Sequence, residues 1–359
     1  MAGNSGSHFR LHAPPFTYAV GVRTYQISPA KGCLVEQRVL GRTGRSVGVV
    51  GLGAWQLGAD WGEVSEDDAL ATLVAAVDSG VTFIDTADVY GNGRSERLVG
   101  ALLKERPGLM VATKMGRRAP LDPAYYTLDN FRAWNDDSRA NLGVETIDLV
   151  QLHTPPSAVF AMDSVYDALD TMVEEGRIAA YGVSVETCEE ALTAMKRPGV
   201  ASIQIILNAF RLKPLERVLP AAREAGVGII ARVPLASGLL SGRYDENTVF
   251  ADNDHRTYNR RGEVFSIGET FSGVDYEVGL EAVRRLRPLV PEGMTMAQFA
   301  LRWVIDQPGV SVVIPGARNP EQARANAAAA DFPPLTAETL DGVREVYDEL
   351  IRPRIHHQW

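Results

Sequence analysis

The chain has 359 residues, 45% of them apolar and 23% charged, the proportions of a soluble globular protein with one large core or two ordinary ones. A formal net charge of -9 argues against a general nucleic-acid or anionic-membrane binder, since either polyanion would be repelled, but it leaves room for a local basic pocket. No apolar run approaches the roughly 20 residues that span a bilayer. Cys33 and Cys188 have neither metal-ligand spacing nor the number of a disulfide framework, so a reducing cytoplasm is the expected compartment.

Residues 1–36 differ in character from the rest of the chain. Up to Leu34 they carry Arg10, Arg23 and Lys31 but no acid, and they show no sustained periodicity. Serine is too sparse for a transit peptide, and the expectation is a disordered extension. From residue 37 apolar runs alternate with helical patterns. Strands are expected at Val47–Leu52, Thr82–Ala87, Met110–Lys114, Ile147–His153, Ala179–Val185, Ser202–Phe210, Gly228–Leu235 and Ser311–Gly316. Between them fall helices near residues 67–79, 95–104, 128–142, 164–175, 189–195, 215–225, 276–289 and 296–306, with two more near 321–330 and 337–351. Ser95 reads as the N-cap of the second of these.

Eight strands alternating with helices fit a closed (β/α)8 TIM barrel better than an open sheet. The strands are near-continuous apolar runs, as when both faces are buried. A doubly wound sheet with a second domain is the rival. No linker-like shift in composition interrupts residues 37–359, which are therefore expected to form one domain.

In such a barrel the C-terminal strand ends face the site. They carry Asp85 after the second strand, Lys114 after the third and His153 after the fourth, with Tyr90 in the loop beyond Asp85. A lysine ending the buried run MVAT needs a partner, because an unpaired buried ammonium is costly. Asp85 is the natural one. Tyr90 would then feel a positive field that eases loss of its proton, and His153 would donate a hydrogen bond to a substrate carbonyl. These groups suit carbonyl reduction and need only a hydride source. An Asp85–Lys114 pair that merely closes the barrel top is the bland alternative, and a Schiff-base lyase using Lys114 is a third. The remaining histidines lie in tails and a polar loop, so no metal site is expected. No GxSxG, HExxH or phosphate-loop motif is present.

The segments FIDTADVYGNGRSERLVG, VATK, DLVQLH, GRIAAYGVS, PLASGLL and IPGARNPEQARAN, in this order, resemble the aldo-keto reductase family from about Gln37 to Ile351. The resemblance implies a barrel that reduces aldehydes or ketones with NADPH, with NADH as the other candidate. It implies Tyr90 as general acid, Lys114 and Asp85 as the pair that tunes it, and His153 as the carbonyl-orienting donor. Ser184 and Gln204 would hold the nicotinamide amide, and Gly53, Ala54 and Trp55 would edge its pocket. The pyrophosphate would lie under Leu235, Ser237 and Gly238. Gly316, Arg318, Gln322 and Asn326 would meet the adenosine end. A nucleotide-binding sensor or partner protein, similar to the potassium channel β subunits, is the alternative the resemblance brings.

Three positions depart from the family pattern. Val185 stands where asparagine often follows the serine. Arg232 stands where an aromatic ring often faces the nicotinamide. Gly316 and Gln322 replace the lysine and arginine that often hold a 2′-phosphate, leaving Arg318 for that role. The loop Leu240 to Asp275 and the segment after Ile351 are expected to cover the pocket, with Trp55, Trp61, Tyr125, Trp134 and Phe271 as candidates for an apolar wall. The expected partner is a small carbonyl compound, with no nucleic acid and no membrane.

Overall fold

The computed structural model describes residues 36–58 and 64–359, together with the backbone of Thr17–Val20 and Arg23–Gln26. Those two segments pair antiparallel within a separate N-terminal unit, Met1–Leu34. The rest of residues 1–35, on which the expectation of disorder falls, lies outside the described residues.

Eight parallel strands form the barrel: β1 (Leu52–Gly53), β2 (Phe83–Asp85), β3 (Met110–Met115), β4 (Leu149–His153), β5 (Tyr181–Ser184), β6 (Val200–Ile206), β7 (Gly228–Arg232) and β8 (Val310–Val313). Each pairs with the next, and the ring closes where Val50 bridges Val313 and Gly53 bridges Gly316. The first strand is shorter than its apolar run suggests. Ser46–Gly48 turns back on Gln37–Val39 as an antiparallel pair, so only the end of the run joins the barrel. That pair belongs at the barrel floor, because Val47 and the neighbouring Leu40 pack into the inner cluster of Phe83, Met110, Ala112, Leu149, Ile230 and Val312.

The two-residue period of a strand explains how the same strands supply both plug and site. On β3, Met110 and Ala112 fill the barrel interior and Lys114 follows in phase. On β4, Leu149 is followed in phase by Gln151 and His153, and on β7 Ile230 is followed by Arg232. The inner face is thus apolar below and polar at the C-terminal rim. The larger core lies between strands and helices, where Leu73, Leu98, Phe131, Leu169 and Val304 are buried.

Helices fall close to expectation, including Leu128–Leu142, but Ser95 does not cap its helix. The helix runs Arg94–Glu105 from Gly93, which adopts φ 80. Ser95 Oγ instead donates to Ala54 O at 2.9 Å and accepts from Thr86 Oγ1 at 2.8 Å, tying the Tyr90 loop to β1 and β2. A buried tie has displaced the capping role. β7 likewise stops at Arg232 instead of Leu235, because Val233, Ala236 and Ser237 have φ of 52, 46 and 54 and curl the chain over the rim. Among the described residues no helix is long and apolar enough to cross a membrane.

Candidate active site

Lys114 is 1% exposed and lies inside the barrel top. Its ammonium donates to Asp85 Oδ1, to Thr86 O at 2.9 Å and to the Tyr90 hydroxyl at 3.3 Å. The other oxygen of Asp85 accepts from Gln204 Nε2 at 2.7 Å and Gln151 Nε2 at 2.9 Å. Three strands besides its own therefore fix this carboxylate. Burial, the largest influence, pulls the Lys114 pKa down, but Asp85 and Tyr90 together pull it up further, so the net shift is upward and the side chain stays charged.

Tyr90 packs edge-on against His153, with ring centroids 5.8 Å apart, and stacks on Trp55 at 6.0 Å. Burial raises the Tyr90 pKa and outweighs the lowering by Lys114. The phenol is therefore held more firmly protonated than the neighbouring ammonium alone would suggest. His153 shifts the other way. Burial, then Arg117, Lys114 and Arg232, hold its pKa well below 6.5, so the imidazole is neutral at physiological pH.

These side chains open into a cavity of about 1090 Å³ that runs from Tyr90 and His153 past Ser237 and Gly238 to Arg318 and Asn326. Its far end meets the start of helix Pro320–Ala327, where Asn319 Oδ1 caps the Gln322 N–H at 2.9 Å. An exposed helix start of this kind favours an anionic group. Midway, the left-handed turn at Ser237 and Gly238 makes room that a side chain would fill: a Cβ on Gly238 would lie 2.4 Å from the Tyr244 hydroxyl.

The aldo/keto reductase family model matches residues 49–348, nearly the whole barrel. The chain belongs to the aldo/keto reductase family. It is 30% identical over 299 residues to aldo-keto reductase YhdN of Bacillus subtilis (strain 168), covering 81% of this chain and 87% of that one. It is also 30% identical over 332 residues to a probable voltage-gated potassium channel subunit beta of Oryza sativa subsp. japonica, covering 87% and 96%. The structure of a glycerol dehydrogenase from Gluconobacter oxydans superposes with a TM-score of 0.73 at 30% identity, covering 89% of this chain and 97% of that one.

In this aldo/keto reductase chain, every residue proposed from sequence for catalysis or cofactor binding except Lys114 lines this same cavity: Asp85, Tyr90 and His153, and Gly53, Ala54, Trp55, Ser184, Gln204, Arg232, Leu235, Ser237, Gly238, Gly316, Arg318, Gln322 and Asn326. Lys114 lies behind Tyr90 and Asp85. Two of the departures touch, since Arg232 Nη2 donates to Val185 O at 3.0 Å. The Arg232 guanidinium also pairs with Glu186 and Glu269, so three neighbours hold it at the rim. At Gly316 the space of a side chain is taken by Gln56, whose Oε1 would lie 2.1 Å from an added Cβ. Gln322 turns back to accept from the Arg318 N–H at 2.9 Å.

The expected aromatic wall is only partly correct. Trp55 lines the cavity, but Trp134 packs on Phe131, Phe271 lies in the core beside Phe250 and Tyr276, and Tyr125 is 40% exposed. Trp61 lies outside the described residues. Phe265 and Tyr258 stand in their place, with Phe265 6.1 Å from Trp55. The loop 240–275 does cover the cavity, whereas the C-terminal Trp359 packs behind it, over Arg211 and against Gly268.

Sequence reasoning missed Gln56, Arg117, Gln151, Glu186 and Glu269. The strand period could have flagged Gln151, two residues before His153 and so on the same face. Glu186 and Glu269 were beyond reach, because their pairing with Arg232 brings together loops 83 positions apart.

Proposed function

We propose that the chain is an NAD(P)H-dependent oxidoreductase that reduces an aldehyde or ketone to an alcohol, with NADPH the preferred cofactor and NADH the alternative. The observation that carries this reading is the 3.3 Å contact between Lys114 Nζ and the hydroxyl of Tyr90, which lines the cavity. A bound reduced nicotinamide would supply hydride. Tyr90 is positioned to give its proton to the carbonyl oxygen as charge develops there, and Lys114 to stabilise the phenolate left behind. Asp85 keeps Lys114 charged and in place. Neutral His153 can offer an N–H to the same oxygen without taking the proton.

The other cavity residues suit the cofactor. No described residue donates to Gln204 Oε1, which leaves it beside Ser184 to accept from a carboxamide. The turn Leu235–Gly238 and the start of helix Pro320–Ala327 suit phosphate groups, and Arg318 is the cation nearest that helix start in sequence. Gly316 and Gln322 add no charge, so the preference for NADPH rests on Arg318.

The likeness to a potassium channel subunit supports a second reading, a nucleotide-binding partner protein. Purified protein assayed against a panel of aldehydes and ketones, following loss of reduced-nicotinamide absorbance with NADPH and NADH, decides between them. Turnover with NADPH is expected. Tight NADPH binding with no turnover across the panel would favour the partner protein.

A further inference from the structure

Arg117 lines the cavity beside the proposed reacting groups. Its Nε donates to His153 O at 3.0 Å and its Nη2 to Thr154 Oγ1. A guanidinium has five N–H donors, and these two bonds leave Nη1 unused. Among the described residues no carboxylate pairs with Arg117, in contrast to its neighbours. Lys114 is matched by Asp85, Arg232 by Glu186 and Glu269, and Arg256 by Asp254. Tyr90 and His153 are neutral. Arg117 is therefore the cation at the reacting end that no carboxylate among the described residues neutralises directly, and its side chain is bonded to the backbone of His153.

A half-buried cation at a cavity wall, already oriented by two bonds, is arranged to receive an anion rather than to stay solvated. One charge suits a monoanion, since a phosphate dianion would call for a second uncompensated cation or a helix start, and at this end the cavity lining contains neither. Trp55, Tyr258 and Phe265 line the same cavity and provide apolar contact for the rest of the molecule.

We propose that Arg117 recognises a carboxylate on the substrate, so that the preferred substrates are aldehydes or ketones bearing a carboxylate. This rests on the carbonyl-reductase reading. The test compares kcat/KM for meta-carboxybenzaldehyde and succinic semialdehyde with that for their neutral methyl esters, with NADPH. Each acid is expected to exceed its ester by about tenfold, the scale of one charge-assisted hydrogen bond. Arg117→Lys should keep most of that ratio. Arg117→Gln, which retains an N–H donor but no charge, should bring it near one. A ratio unchanged by Arg117→Gln, or acid and ester reduced equally well by the wild type, would overturn the proposal and leave the reductase reading intact. If no acid or ester is reduced at all, the carboxylate proposal falls, and the wider panel of aldehydes and ketones decides the reductase reading. A measurement on the wild type guards against a variant that does not fold: the KM of the acid should rise with ionic strength while that of the ester stays constant. Parallel behaviour of the two would also overturn the proposal.

Discussion

Lys114 holds the Tyr90 hydroxyl at 3.3 Å while its ammonium is bound to Asp85, so the charge that would stabilise a phenolate is itself largely balanced. Burial then dominates, and the phenol stays protonated above its ordinary pKa of 10.0. In the proposed reaction Tyr90 would hold its proton until a developing alkoxide draws it.

Replacing Tyr90 by Phe should lower kcat/KM for carbonyl reduction by about 10²-fold or more, the scale of lost general-acid catalysis. Wild-type kcat/KM should show no falling limb from this phenol below pH 10.0. Steady-state profiles over the alkaline range check both points. Wild-type rates in Tyr90→Phe would remove it from the chemistry.

Asp85 and Lys114 are a buried pair, so losing either partner strands a charge. Asp85→Asn and Lys114→Met should each cost about 3–5 kcal/mol of stability. The double variant should lose clearly less than the sum, because it leaves no orphan ion. Urea midpoints of the four proteins measure the coupling, and additive losses would show that the pair is not energetically linked.

Asp88 sits fully buried behind Lys114, with Arg118 Nε 3.3 Å from its carboxylate. Burial raises its pKa from 3.8 to about 7 despite that arginine. The folded state therefore binds the proton more tightly than the unfolded chain. The associated stability is complete below pH 3.8 and is lost as pH rises through about 7. Asp88→Asn should gain on the wild type in melting temperature as pH is raised from about 4 to about 7, with the difference constant beyond. A difference that does not vary with pH would place the Asp88 pKa near its ordinary value.

Arg232 holds Glu186 and Glu269, and Ser237 Oγ donates to Glu269 O at 2.8 Å, so this one guanidinium secures the loop over the cavity. Arg232→Leu should leave two carboxylates unpaired, cost about 3 kcal/mol or more, and speed amide exchange across residues 266–273 before the barrel strands respond. Unchanged exchange there would mean that the loop is held by its apolar contacts alone.

Much of the architecture was legible because barrel strands are local objects. Their apolar runs and the helical periodicity between them depend on neighbours a few residues away, and the three ionisable strand ends mark one rim of the barrel. What misled was competition for the same atoms. Ser95 has the composition of a cap, yet its hydroxyl is taken by Ala54 and Thr86. Trp134 and Phe271 have the look of a pocket wall, yet the core claims them.

The sequence by itself determined the alternating barrel, the order of its strands and the chemical types along its rim: a carboxylate, a phenol, an ammonium and an imidazole. Only the tertiary structure decided what those groups are worth. Gln151 and Gln204 converge on Asp85, two glutamates close on Arg232, and Arg117 is left without a counter-charge among the described residues. The physical reason is distance. Charge balance, desolvation and cavity shape depend on which side chains come within a few ångströms across the barrel, and positions as far apart as 85 and 204 have no local signal of that meeting.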